Sequence, residues 1–267
     1  MANLYYREDI ESTAFQPGAL IEVTGEEARH AVKVSRLRTG ERILVGNGRG
    51  AVGEGLVEET ARDRFTVRIE RIERAIAVRH RLVLVQALAK GDRDERAVEQ
   101  ATEFGADAIV PWQAERSVSR WRGAGGSDKA LRGDRAERGD KAEKGSAKWR
   151  RIAREASKQS LRLRVPEVRE LVTLEELCEL ASDESVEVVA LDPRSGRRLS
   201  EWAATEPAQV AKEILVVVGP EGGFSREELD ALESAGAHAL KLGSSVLRTS
   251  SAGPAALAVL NSAWGRW

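Results

Sequence analysis

The stretch from Ile214 to Ala258, ILVVVGPEGGFSREELDALESAGAHALKLGSSVLRTSSAGPAALA, constrains the fold more than any other part of this chain. Ile214–Val218 is an unbroken apolar, β-branched run, the pattern of a strand buried on both faces. Gly219-Pro220-Glu221-Gly222-Gly223 is a tight turn. Ser225 followed by Glu228 is a capping box and starts a helix, and Gly236 suits the left-handed position that ends one. His238–Leu242 is a second short strand and Gly243-Ser244-Ser245 a second tight loop. Pro254 falls where the first turn of a last helix accepts proline. Strand, glycine turn and helix, repeated, build a parallel sheet. The two glycine turns then lie at the carboxyl ends of neighbouring parallel strands, where open α/β sheets bind ligands. Neither turn carries GxGxxG or GxxxxGK[ST], so a dinucleotide or P-loop site is not indicated.

Composition narrows the classes. At 267 residues and 42% hydrophobic content the chain can bury a sizeable core in one large or two modest domains. A formal net charge of -1 argues against a uniformly basic nucleic-acid coat, so any RNA contact needs local patches. Cys178 is the only cysteine, and His30, His80 and His238 lack ligand spacing, so no disulfide and no metal site are expected. No apolar run reaches membrane-spanning length, and the start, MANLYYRED, lacks a signal peptide's pattern; a cytoplasmic protein is expected.

Residues 1–75 alternate short strands with one helix. Thr24 and Glu27 form a cap pair ahead of that helix, and GNGRG at Gly46–Gly50 is a hairpin turn. A small β-barrel is expected. Arg29, His30, Lys33, Arg36 and Arg38 crowd positive charge at and beyond the helix end, which fits either RNA phosphates or a solvated helix terminus. Residues 76–267 open with a βαβ unit: strand RLVLVQAL, a helix capped by Asp92 and Glu95 that closes at Gly105, and strand Ala108–Pro111. The segment 122–147 is charged and nearly without large apolar residues, so it is expected to be a flexible insertion or a frayed helix. A helix over Lys148–Leu161 puts Trp149, Ile152 and Ala156 on one face, Thr173 with Glu176 caps another, and Val186–Leu191 is a strand.

The residues VVVGPEGGFSREEL followed by LKLGSSVLRTSSA resemble the C-terminal core of SPOUT methyltransferases, and most of all the ribosomal small-subunit RNA methyltransferase E family. HAVKVSRLRTGERI resembles that family's PUA-like N-terminal domain, and QALAKGDRDERAVEQATEFGADAIVPWQAERSV and EASKQSLRLRVP its middle blocks. The resemblance covers nearly the whole chain. It implies an α/β fold: a SPOUT-type parallel sheet with a C-terminal trefoil knot, preceded by a PUA-like RNA-binding β-barrel. It implies a homodimer that uses S-adenosylmethionine to methylate N3 of a uridine in 16S rRNA of the small ribosomal subunit. The cofactor is then wrapped by Leu191, by Val218, Gly219, Pro220, Gly222 and Gly223, by Leu242, Gly243, Ser244, Val246 and Leu247, and by Thr249 and Ala252. Arg116 matches an arginine of the family's pattern and is expected to bind RNA, or else is a surface cation. Gln159 and Arg162 are expected to bind RNA where they line the cleft or the dimer contact, or else belong to a solvated helix end.

Methyl transfer needs positioning more than covalent help. Attack by uracil N3 requires loss of its proton or stabilisation of the anion on the carbonyls. Arg248 suits that anion by charge and forked hydrogen bonds, or else pairs with a carboxylate to brace the loops. Glu221 positions substrate, serves as base, or satisfies turn amides. Ser250-Ser251 stands where many family members carry Glu-Thr, which leaves no carboxylate at position 250. Two other readings are carried: a SPOUT enzyme acting on a ribose 2′-hydroxyl or another base, and a non-catalytic RNA-binding assembly factor.

Overall fold

The computed structural model describes residues 3–121, 132–205 and 211–267, the stretch 132–140 by its backbone alone. The chain divides into two compact units, Met1–Ala77 with Arg154–Val165, and Val78–Ala153 with Pro166–Trp267.

The first unit is built on β1 (Leu4–Tyr6), β2 (Leu20–Thr24), α1 (Gly25–Lys33), β3 (Arg42–Gly46), β4 (Ala51–Thr60) and β5 (Arg64–Arg74). These strands form one sheet in the order β1-β3-β4-β5-β2, with β1 parallel to β3 and the other pairs antiparallel. The sheet is curled. Tyr5 on β1 meets Phe65 on β5 edge-to-face, ring centroids 5.3 Å apart, although two strands lie between them in the sheet. The buried core of Phe15, Ile43, Phe65, Val67 and Ile69, with Ala28 and Ala31 of α1, fills the concave side. Among the described residues no ladder closes β1 onto β2.

Thr24 sits at the α1 N-cap, but its side chain caps nothing, contrary to expectation. Glu27 instead accepts the Tyr6 N–H at 3.1 Å and pairs with Lys158 at 3.1 Å and Arg154 at 3.2 Å. Two cations and a strand N–H hold a carboxylate more strongly than one local amide does.

The second unit carries six parallel strands in the order β11-β9-β10-β6-β7-β8: β6 (Arg81–Ala87), β7 (Ala108–Trp112), β8 (Glu167–Val168), β9 (Val186–Leu191), β10 (Glu213–Val218) and β11 (His238–Leu240). Apolar clusters cover both faces, which is why the central strands are continuous hydrophobic runs. The helices are α2 (Arg93–Glu103), α3 (Arg132–Gln159), α4 (Leu174–Ala181), α5 (Leu199–Trp202), α6 (Arg226–Ser234) and α7 (Thr249–Ala263).

The two strands that carry the glycine turns, β10 and β11, are not neighbours. β9 lies between them and pairs with both. The Thr173–Glu176 and Ser225–Glu228 capping boxes form as expected, whereas that of Asp92 and Glu95 does not. Asp92 binds Arg96, Glu95 pairs with Lys148, and buried Asp94 accepts the Ala89 N–H at 3.2 Å instead. Pro254 is the sixth residue of α7, past the first turn, because the helix already begins at Thr249; its missing N–H leaves the Ser250 carbonyl without the usual helical donor.

The expected flexible segment 122–147 lies outside the described residues as far as 131. From Arg132 it is helical, so α3 starts well before Lys148. Ala142 packs on the core, and Gly145 lets the Trp121 ring approach so closely that a Cβ there would sit 2.4 Å from it. Trp121 in turn packs edge-to-face on Trp149, 5.3 Å between centroids.

Candidate active site

Three loops leave the carboxyl ends of the adjacent strands β11, β9 and β10 and enclose a cavity of about 620 Å³. The first follows Leu191, the second is Gly219–Phe224, and the third runs from Leu242 to Arg248. Of the expected cofactor residues, Leu191, Val218, Gly219, Pro220, Gly222, Gly223, Leu242, Gly243, Val246, Leu247, Thr249 and Ala252 line it. Ser244 is exposed and is not among the lining residues.

The second loop is held from every side. The Trp112 indole N–H donates to the Val218 carbonyl at 3.0 Å, and the Phe224 ring stacks on Trp112. The Thr249 hydroxyl donates to the Gly219 carbonyl at 2.8 Å. Arg116 Nη1 donates to the carbonyls of Gly222 and Phe224, both at 3.0 Å. Gly223 donates to the Pro220 carbonyl at 2.9 Å, and its φ of +67° is one that glycine adopts without strain. The Ser225–Glu228 box clamps the far end, where Glu228 also accepts the Glu115 N–H at 2.7 Å. The carbonyls of Gly219, Pro220 and Gly222 are committed, while the N–H groups of Gly219 and Gly222 are free among the described residues.

The third loop is the opposite case. Among the described residues, none of the backbone N–H groups from Leu242 to Arg248 donates to a partner. Val246 is 77% exposed and Leu247 41%. The cavity thus pairs one rigid wall with one wall whose donors are unsatisfied.

Arg248 is exposed at the N-cap of α7. Its side chain makes no hydrogen bond or ion pair among the described residues, so no carboxylate braces it. Glu221 is differently placed. Arg93 Nη1 lies 2.5 Å from its Oε1, and the Lys90 N–H donates to the same oxygen at 3.1 Å. Burial alone raises the Glu221 pKa, but the Arg93 guanidinium and the Lys90 amide outweigh it and hold the carboxyl below its ordinary range. A carboxylate so stabilised is a weak base near neutrality. Arg116, expected to face RNA, spends one nitrogen on the glycine turn.

Gln86 is a residue that the sequence reading passed over. It is fully buried at the end of β6, and its Nε2 donates to Thr249 Oγ1 at 2.9 Å. The available signal was one amide in the otherwise apolar run RLVLVQA. Arg93 was missed too, since only the fold brings it to Glu221.

The remaining candidates lie in the first unit. His30 and Gln159 line one shallow depression of about 150 Å³ together with Lys158. Arg29 is exposed in the middle of α1, and Lys33, Arg36 and Arg38 are exposed at or beyond its end. Arg36 has a positive φ of 54°, where the Leu37 N–H reaches back to the Ala31 carbonyl and ends the helix. Arg162 is half-buried, and its carbonyl accepts the Tyr6 hydroxyl at 2.7 Å. Among the described residues no group of three or more His, Cys, Asp or Glu is placed to hold a metal ion, and no helix is long and apolar enough to cross a membrane.

Comparison with known proteins agrees with this architecture. The model of the RNA methyltransferase domain matches residues 78–261, and that of the RNA methyltransferase PUA domain residues 23–70. The ribosomal RNA small subunit methyltransferase E of Mycobacterium tuberculosis is 37% identical, covering 100% of this chain and 94% of its own. A Legionella pneumophila protein solved in complex with the bound cofactor SAM superposes with TM-score 0.77 at 27% identity, covering 98% of both chains. A ribosomal RNA small subunit methyltransferase E of Neisseria gonorrhoeae shares the fold with TM-score 0.80 at 23% identity, over 99% of this chain and 98% of that one. With an RNA methyltransferase domain over most of its length and a full-length relative at this identity, the chain belongs to the ribosomal RNA small subunit methyltransferase E family.

Proposed function

We propose that the protein transfers the methyl group of S-adenosylmethionine to N3 of a uridine in 16S rRNA of the small ribosomal subunit. The observation that carries this reading is the cavity at the ends of β9, β10 and β11, with an uncompensated arginine on its rim, in a chain of this family. The volume suits a cofactor-sized ligand, for which pockets of ~300–1,000 Å³ are typical. The chemistry suits it as well. The free N–H groups of the Leu242–Arg248 loop and of Gly219 and Gly222 match the acceptors of an adenine, a ribose and a carboxylate. Leu191, Val218, Leu242 and Leu247 supply apolar walls. These loops are proposed to hold the cofactor, threaded through one another as a trefoil knot.

Bound there, S-adenosylmethionine supplies an electrophilic methyl group on a positively charged sulfur. The protein's own residues prepare the nucleophile. As N3 gives up its proton to water, negative charge spreads onto the flanking uracil carbonyls. The Arg248 guanidinium, with no carboxylate to neutralise it, is available to receive that charge through forked hydrogen bonds. Glu221 is assigned a bracing part, tying the turn to Arg93 and Lys90 rather than taking the proton. N3 lies on the pairing edge of uracil, so the target base is unpaired and turned into the cleft.

RNA is proposed to lie along Arg29, His30, Lys33, Arg36, Arg38, Gln159 and Arg162 in the first unit and beside Arg116 in the second. The exposed Val246 and Leu247 favour a homodimer that covers the open loop. A cytoplasmic location goes with a ribosomal substrate. Mass mapping of small-subunit rRNA from cells lacking the protein tests the reading. Loss of one methyl group on one uridine is expected; rRNA with every methyl group intact overturns it.

A further inference from the structure

An amide buried in the middle of a parallel sheet is costly unless its hydrogen bonds are made. Gln86 is fully buried in RLVLVQA, and only part of that cost is met, because its Oε1 has no partner. Its Nε2 donates to the Ala87 carbonyl at 3.1 Å and to Thr249 Oγ1 at 2.9 Å. The Thr249 hydroxyl, so engaged, donates onward to the Gly219 carbonyl at 2.8 Å. A hydroxyl that accepts one hydrogen bond donates the next more strongly. The relay joins three places far apart in sequence: the end of the central strand β6, the first residue of the rigid glycine turn, and the first residue of α7. That last residue directly follows Arg248. A methionine or leucine would fill the same space without an orphaned oxygen, so the amide's contribution is placement rather than stability.

We infer that Gln86 is a positioning residue for methyl transfer, acting through Thr249 to hold Arg248 in register with the Gly219 turn. Arg248 has no side-chain tether of its own among the described residues, so its location is set by its backbone. That backbone is anchored at its C-terminal side by Thr249, whose hydroxyl the relay aims at Gly219. Without the Gln86 donor, Thr249 Oγ1 loses the bond that orients it, and the two walls of the cavity move independently.

The inference rests on the activity proposed above, and its test separates the two. Gln86→Met removes the donor at nearly constant volume, Thr249→Val removes the hydroxyl, and Thr249→Ser keeps it. Single-turnover methylation of small-subunit rRNA at saturating S-adenosylmethionine is measured together with cofactor affinity. Amide hydrogen exchange without cofactor is followed in peptides covering 219–224 and 249–253, where the bonded amides of Gly223, Ser251 and Ala252 report. A rate loss of roughly tenfold is expected for Gln86→Met, the scale of one lost net hydrogen bond. The double variant Gln86→Met, Thr249→Val should be no slower than Thr249→Val alone, since both act on one chain of bonds. Thr249→Ser should recover most of what Thr249→Val loses. Exchange should rise in both peptides and nowhere else.

Wild-type protein that does not methylate the RNA defeats the proposed activity, and the exchange measurement still decides the relay. Unchanged exchange in Gln86→Met overturns the inference. So do independent, multiplying rate losses in the double variant. A uniform rise in exchange across the sheet, with earlier melting, marks a merely structural amide and overturns it equally. If Gln86→Met does not fold, the Thr249→Val and Thr249→Ser pair carries the test, and equal losses in both overturn it.

Discussion

Replacing Gly223 separates backbone strain from occupation of the cavity. Its φ of +67° is left-handed, and a Cβ built there meets nothing within 4 Å. Gly223→Ala therefore has no clash inside the protein; its cost is conformational, ~1–2 kcal/mol for an ordinary residue in that region. For a domain of this size each kcal/mol moves the melting temperature by roughly 2–4 °C. Asparagine tolerates the left-handed region better. Gly223→Asn should thus melt closer to wild type than Gly223→Ala does. Gly223 itself lines the cavity, so either side chain starts from its wall. Each should weaken S-adenosylmethionine binding, with asparagine, the larger, at least as harmful as alanine. A tenfold loss corresponds to about 1.4 kcal/mol. Thermal melts read the first quantity and calorimetric titration the second. The prediction is a crossing order: alanine worse in stability, asparagine as bad or worse in affinity. Affinity that simply tracks melting temperature would show that the loop's conformation, not its open face, governs binding. Wild-type affinity in both variants would refute the cradle altogether.

Arg248→Lys should melt within ~0.5 kcal/mol of wild type, as an exposed residue without partners does, while the single-turnover rate falls on the order of 10²-fold; a normal rate removes Arg248 from the chemistry. Glu221 has a depressed pKa, so the stability it contributes is present above the unfolded carboxylate range and is lost as pH falls through the folded value. Being a partly exposed pair with Arg93, it contributes no more than ~1 kcal/mol. Urea melts of wild type and Glu221→Gln should accordingly differ near pH 7 and converge only once the pH has fallen through the lowered range of the folded carboxyl, and a gap that persists in stronger acid contradicts the pairing. Gly145→Val should displace Trp121 and cost about 1–3 kcal/mol in a denaturant titration; an unchanged midpoint means that the ring is not packed against the helix.

How far the fold was legible depended on the range of the interaction. The Ser225–Glu228 and Thr173–Glu176 boxes close within one turn of chain, so four residues suffice to see them. The same pattern at Thr24–Glu27 failed because Glu27 found Arg154 and Lys158, partners more than a hundred residues away. The apolar runs of β6, β9 and β10 announced buried parallel strands, and the glycine turns announced the cavity. That β9 sits between β10 and β11 is a matter of strand order, on which local pattern is silent. The cavity therefore has a third wall at Leu191 that only the family resemblance had suggested. The parts played by Gln86 and Arg93 were hidden for the same reason, since their partners are Thr249 and Glu221.

The strand order also sets a timetable. Among the described residues β11 is an edge strand that pairs with β9 alone, and α7, which carries Thr249, follows it. A growing chain can pair β6, β7, β9 and β10 while β11 and α7 are still being synthesised. It cannot finish the cavity, because the third loop and the Thr249 hydroxyl are made only after β10. A nascent or C-terminally clipped chain would hold most of the parallel sheet and no closed pocket. Competence for methyl transfer would arise only once α7 has left the exit tunnel and its Thr249 can reach Gly219.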